Sequence, residues 1–181
     1  VTPPRADAAI ARAAALLREG SILAIKGVGG YHLACDARNA RAVAALRARK
    51  FRKERPFALM ARDLDAARAL AEVSTEEEAL LTSVRRPIVL LRARRRLDGV
   101  APENDELGVM LPYAPLHHLL FAAGCPDELV LPRETSSSEP IAYEDADAFA
   151  RLDGIADAFL VGERAIARRV DDAVARAGPR G

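Results

Sequence analysis

The chain has 181 residues, half of them hydrophobic, enough to bury the core of one domain. Its 27 Lys plus Arg against 26 Asp plus Glu leave it nearly neutral, which argues against a surface that coats nucleic acid; with no Trp, five Phe and three Tyr, it also has few platforms for stacking single-stranded bases. Cys35 and Cys125 lie outside any CxxC pattern, no apolar run reaches the roughly 18 residues of a membrane span, and the N-terminus lacks signal-peptide regions, so a soluble protein of the reducing cytoplasm is expected, without disulfide framework, zinc ribbon or membrane segment.

In chain order, Ala and Leu recur at helical spacing from Ala6 to Arg18, and Gly20 supplies the stop. Ile22 to Ile25 reads as a strand that gives way, after Lys26, to Gly27, Val28, Gly29 and Gly30, with Tyr31 and His32 following. This glycine cluster is neither the dinucleotide fingerprint nor a P-loop, since the third glycine of the former falls on His32 and no GK[ST] closes the latter. A helix is expected from Arg38 to Arg47, leading into LRARKFRKERPFALM at 46 to 60, where Arg47, Arg49, Lys50, Arg52, Lys53 and Arg55 crowd ahead of a buried strand at Phe57 to Met60. Asp63 to Ala71 is helical, and Ser74 with Glu77 spells a capping box. Pro87 introduces a buried strand at Ile88 to Leu91, after which Arg92, Arg94, Arg95 and Arg96 read as a solvated turn.

Further strands are expected at Leu107 to Leu111, Glu128 to Leu131, Phe159 to Val161 and Arg169 to Val174, with helices at Leu116 to Ala123 and Glu144 to Leu152. His117 and His118, about 100° apart on a helix, cannot share one metal and read as structural. No resident metal site is expected. Alternating strands and helices predict an α/β fold with a twisted, mixed open sheet flanked by helices. The opening valine and the closing Arg-Ala-Gly-Pro-Arg-Gly read as ends cut from a longer, multidomain chain in which 1–181 is one domain.

Three features converge on a polyphosphate site: a basic loop before a strand, a glycine turn flanked by Lys26 and His32, and the Ser/Thr-rich loop RETSSSEP between a strand and a helix. Arginine forks bind phosphate oxygens bidentately, lysine serves as a movable point charge, and hydroxyls with backbone N–H groups complete the shell. Catalysis there is electrostatic and positional, neutralising a leaving pyrophosphate and holding a nucleophile in line. The competing reading is a solvated helix terminus, because a helix C-terminus favours arginine anyway.

The segments KGVGGYHLACDA at 26 to 37, LRARKFRKERPFALM at 46 to 60, SVRRPIVLL at 83 to 91, LGVMLPYAPLHHLLF at 107 to 121, SEPIAYEDADA at 138 to 148 and RRVDDAV at 168 to 174 together resemble the YrdC-like domain of HypF-type carbamoyltransferases, which mature [NiFe]-hydrogenases. The resemblance implies a YrdC-like fold with a basic concave face. It also implies an activity: ATP, with Mg²⁺, reacts with carbamate derived from carbamoyl phosphate to give carbamoyl-adenylate and pyrophosphate. A C-terminal transfer domain then passes the carbamoyl group to a HypE-like acceptor. By the same resemblance Lys50 and Arg52 are the catalytic basic pair at the nucleotide phosphates, joined in nucleotide binding by Arg55, Ser83, Arg86, Ser137 and Ser138, while Lys26, Tyr31 and His32 line the small-substrate pocket.

The chain departs from the family pattern where Pro132, Arg133, Glu134 and Thr135 replace a TSGN- or TSAN-like segment, and where Ala173 replaces a serine. Either Arg133 and Ser136 to Ser138 substitute for these groups, or ATP binding is weakened. The glycine-loop segment favours HypF over the related threonylcarbamoyl-adenylate synthases, which remain an alternative beside a noncatalytic RNA or nucleotide binding module.

Overall fold

The computed structural model describes residues 6–50, 56–102, 104–132, 142–168 and 172–178. Helix α1 (Ala6–Arg18) ends in a Schellman motif: the Ser21 amide donates to Leu16 O and the Gly20 amide to Leu17 O, with Gly20 at φ 89°. Strands β1 (Leu23–Lys26) and β2 (Tyr31–Asp36) form a hairpin, followed by α2 (Ala40–Arg49), β3 (Ala58–Ala61), α3 (Leu64–Leu70) and α4 (Thr75–Thr82). Then come β4 (Ile88–Arg92), β5 (Glu106–Met110), α5 (Pro115–Ala122), β6 (Glu128–Val130), α6 (Asp145–Leu152), β7 (Ala158–Leu160) and β8 (Val174–Ala175). The helix starts are chemically marked. Asn39 and Asp63 accept the amides of Ala42 and Ala66, and Ser74 with Glu77 closes the expected capping box.

Among the described residues, eight strands make one mixed sheet in the order β7-β1-β2-β6-β3-β5-β4-β8. Because successive strand residues point to opposite faces, each strand feeds two cores. Leu33, Cys35, Leu59, Val89, Val109 and Val130 meet α2, α3, α4 and α6 on one side. Leu23, Ile25, Ala34, Met60, Met110 and Leu129 meet α1 and α5 on the other. Helix α1 packs on β1, β2, β7 and α5, so the helical cover of this second face is concentrated at the β7 side. The stretch over β3, β5 and β4 carries a cavity.

Two expectations are corrected. Residues 31–36 form a six-residue strand, β2, where the sequence reading stopped at the glycine turn; every side chain from Tyr31 to Cys35 is buried, so the stretch lacks the alternation of a half-exposed strand. The strand expected at Arg169 to Val174 is described as Val174–Ala175, pairing parallel with β4, while 169–171 lie outside the described residues. Both cysteines are buried free thiols, and burial pushes each up to about 12, well away from the reactive thiolate. No described helix is long and apolar enough to cross a membrane.

The basic stretch divides by role. Arg47 donates to Gly99 O and, at 3.0 Å, to Val100 O, with its guanidinium 4.2 Å from the Phe57 ring centroid. Arg49, a member of the same basic run, ties α2 to the far end of the sheet: one nitrogen donates to Ile155 O and Asp157 Oδ1, both at 2.8 Å. The Arg92–Arg96 turn also does more than meet solvent, since Arg95 lies 3.7 Å from the buried carboxylate of Glu128.

Candidate functional site

A cavity of about 320 Å³ lies on the second face of the sheet, within the size range of small-molecule sites. Ala58, Gly108 and Leu90 lie side by side across β3, β5 and β4, on the same face as Leu131 and Ile88, and all five line it. Gly108 matters because it lacks a side chain: a Cβ there would lie 3.0 Å from Ile88 Cγ2, so the glycine lets Ile88 settle and deepens the hollow. Pro56, Phe57, Pro132 and Val174 close the walls, and Asn104 and Glu106 add polar atoms. An apolar hollow with a few polar groups at its edge has the make-up of a small-molecule site.

The two segments expected to carry phosphate-binding groups adjoin this cavity in the chain. Pro56 follows residues 51–55 and Pro132 precedes residues 133–141, so Arg52, Arg55, Ser137 and Ser138 lie outside the described residues. Lys50 is described: it caps α2, its amide donating to Leu46 O at 3.0 Å, six residues before Pro56. Pro132 and Ala142 both lie beside β2: Leu33 N donates to Pro132 O and Tyr31 N to Ala142 O. Ala173 O accepts the Ile88 amide at 2.8 Å beside the cavity wall.

Ser83 and Arg86 occupy the turn into β4. The Ser83 hydroxyl donates to Leu80 O at 2.7 Å, and the Arg86 guanidinium reaches Leu81 O at 3.4 Å, so both groups serve the C-terminus of α4. Arg86 holds φ 43°, a left-handed conformation unusual for a side-chain-bearing residue.

Lys26, Tyr31 and His32 flank the glycine turn, but strand alternation parts them. Lys26 and Tyr31 are cross-strand partners pointing toward α6: Lys26 Nζ lies 2.6 Å from Asp145 Oδ1, and the Tyr31 hydroxyl donates to the same oxygen at 2.7 Å. These two donors hold the Asp145 carboxyl below the usual carboxylate range, while burial pushes the Tyr31 hydroxyl up. His32 takes the opposite face, shared with Ala34, Leu131 and the cavity. Its ring lies against Gly27, where a Cβ would come 2.9 Å from His32 Cδ2 and 3.0 Å from Gly30 O. The glycine is thus required by a close approach of a side chain as well as by the turn.

The Tyr113 hydroxyl lies 3.4 Å from His32 Nε2, and its ring meets His117 edge-on at 4.7 Å between centroids. His117 is buried and its Nδ1 accepts from the amides of Ala114 and Tyr113 at 3.3 and 3.5 Å, capping α5 in place of a side chain on Ala114. His118 is exposed, as the 100° offset requires. Burial, then the nearby His32 and His118, bring His117 down to about 3. With a folded value of about 3 and an unfolded value near 6.5, the unfolded chain binds the extra proton between them. His117 therefore contributes stability that is complete above about pH 6.5 and is lost as pH falls toward 3. Between pH 7 and 5 the loss is about 2 kcal/mol, and His117→Gln, which keeps an acceptor for the amides, should remove this part of the pH dependence in urea unfolding. An unchanged pH slope in the variant would show that His117 is not held neutral.

Sequence reasoning missed Asp145, Tyr113 and Gly108. Asp145 stands in SEPIAYEDADA, already singled out, but nothing in the linear pattern pairs it with a lysine 119 positions earlier.

The family model described as "Telomere recombination", covering Sua5, YciO and YrdC, matches residues 15–180. Carbamoyltransferase HypF of Rhodobacter capsulatus is 53% identical over 94% of this chain, and carbamoyltransferase HypF2 of Cupriavidus necator 49% over 92%; each alignment spans 23% of the relative. The chain thus corresponds to about a quarter of these proteins' length. A full-length HypF crystallised in the phosphate- and nucleotide-bound form superposes with TM-score 0.89 at 47% identity, over 92% of this chain and 27% of that one.

Proposed function

This chain belongs to the Sua5/YciO/YrdC family, and from that premise we propose that it is the adenylate-forming module of a HypF-type carbamoyltransferase. The observation that carries the proposal is the nucleoside-sized cavity over Ala58, Gly108 and Leu90, adjoined in the chain by the basic 50–55 segment and on the same sheet face as His32. The similarity to a HypF solved with phosphate and nucleotide supports it.

In this reading the base of ATP lies in the cavity and the triphosphate runs toward Lys50 and Arg52, with Arg55, Ser137 and Ser138 adding donors. Mg²⁺ arrives with the nucleotide as part of the substrate. An oxygen of carbamate attacks the α-phosphorus, the bond from that phosphorus to the bridging oxygen breaks, and pyrophosphate leaves with both electrons. Cations fixed on the leaving group lower this barrier because they stabilise charge that grows in the transition state. In the longer protein, carbamate derives from carbamoyl phosphate and a transfer domain passes the carbamoyl group to a HypE-like acceptor.

ATP–pyrophosphate exchange tests this directly. The expected result is exchange stimulated by carbamate or carbamoyl phosphate. Exchange stimulated only by threonine with bicarbonate would move the chain to threonylcarbamoyl-adenylate synthesis. No exchange, with RNA binding that weakens steeply as salt rises, would identify a binding module.

A further inference from the structure

We infer that Asp145 is a positioning residue of this site, acting through Lys26 and Tyr31 on the 27–30 hairpin; the inference rests on the adenylate-forming reading above. Lys26 and Tyr31 are then hairpin anchors instead of substrate contacts.

The geometry is specific. Lys26 is a lysine whose side chain is only 6% exposed, so its ammonium has given up most of its water and needs fixed partners. It has two: Asp145 Oδ1 at 2.6 Å and Gly162 O at 3.2 Å. The same Asp145 oxygen accepts the hydroxyl of fully buried Tyr31 at 2.7 Å. Lys26 is the last residue of β1 and Tyr31 the first of β2, so one carboxylate oxygen grips both stems of the hairpin where the turn begins. Asp145 is itself the first residue of α6, where a carboxylate is favoured by the helix dipole. Tyr31 N also donates to Ala142 O, three residues before Asp145, so the start of α6 and the hairpin are joined twice.

The turn held this way has a single internal backbone bond, Gly27 N to Gly30 O at 2.8 Å, and three of its four residues are glycine. Such a turn has high conformational freedom and takes its shape from its stems. Across the sheet, His32 packs on Gly27, so a shift of the stems moves His32 and the turn together. The turn, and not the ammonium of Lys26 or the phenol of Tyr31, is then the part that meets the small substrate, with His32 buried behind Gly27.

The test combines two readouts on the full chain. Hydrogen exchange in the free protein should show the amides of 27–31 exchanging at least tenfold faster in Asp145→Asn, with α1 unchanged, and Asp145→Glu partly restoring protection. Kinetically, Asp145→Asn should raise the KM for carbamate in pyrophosphate exchange at least tenfold and leave the ATP dissociation constant within twofold, and Asp145→Asn combined with Lys26→Met should be no worse than either alone. Unchanged protection at 27–31 overturns the inference whatever the kinetics. Parallel loss of ATP binding and exchange overturns it in favour of a general folding defect. If the unmodified chain supports no exchange, the adenylate reading fails while the protection data still decide the role of Asp145.

Discussion

Lys50→Ala and Arg52→Ala are each expected to abolish nucleotide binding, a loss of about a hundredfold or more in affinity, with the fold intact. A hydrogen bond to a charged phosphate contributes about 1.5–3 kcal/mol, and a lysine or a bidentate arginine supplies more than one. The C-cap of α2 is made by the Lys50 backbone amide, which Lys50→Ala retains. Arg47 and Arg49 are the controls. They belong to the same basic run, yet their guanidiniums hold Gly99, Val100, Ile155 and Asp157, so alanine there should lower stability and spare ATP affinity. Calorimetry on the four variants separates the roles; normal ATP binding by Lys50→Ala or Arg52→Ala would falsify the site assignment.

The second large effect concerns Glu128. Its side chain is 1% exposed and receives the fork of Arg38, whose own side chain is 52% exposed, with Arg95 at 3.7 Å. The exposures make the pair asymmetric. Removing Arg38 leaves a buried carboxylate with Arg95 at 3.7 Å in place of a forked partner, whereas removing the charge of Glu128 leaves an arginine that can turn to water. Arg38→Ala is expected to cost about 3 kcal/mol, and Glu128→Gln clearly less. Urea unfolding at pH 7 gives both numbers, and equal losses would mean that the burial of Glu128 does not decide the energetics.

The glycine turn shows how far the linear reading reached. That Gly27, Gly29 and Gly30 mark a turn was legible, because no other residue type so often supplies it. That Tyr31 and His32 separate onto opposite faces needed β2 to be recognised as a strand, and its uninterrupted burial removed the alternation by which a strand is read. The three residues expected to share one pocket are therefore divided: Lys26 and Tyr31 gather at Asp145, and His32 gathers with Tyr113. The basic run gives a similar lesson. Its charge was plain in the sequence, but which arginines hold carbonyls depends on loops at 99–100 and 155–157 that only the folded chain brings near.

By itself the sequence determined the α/β alternation, most helix starts and stops, and the family. These rest on local chemistry, namely hydrophobic period, capping side chains and motif spelling, all of which act within a few residues. The tertiary structure alone decided the strand order, the face each side chain takes, the cavity over Gly108, and the meeting of Lys26, Tyr31 and Asp145. Those depend on register between distant segments, and one step of register moves a side chain to the other side of the sheet.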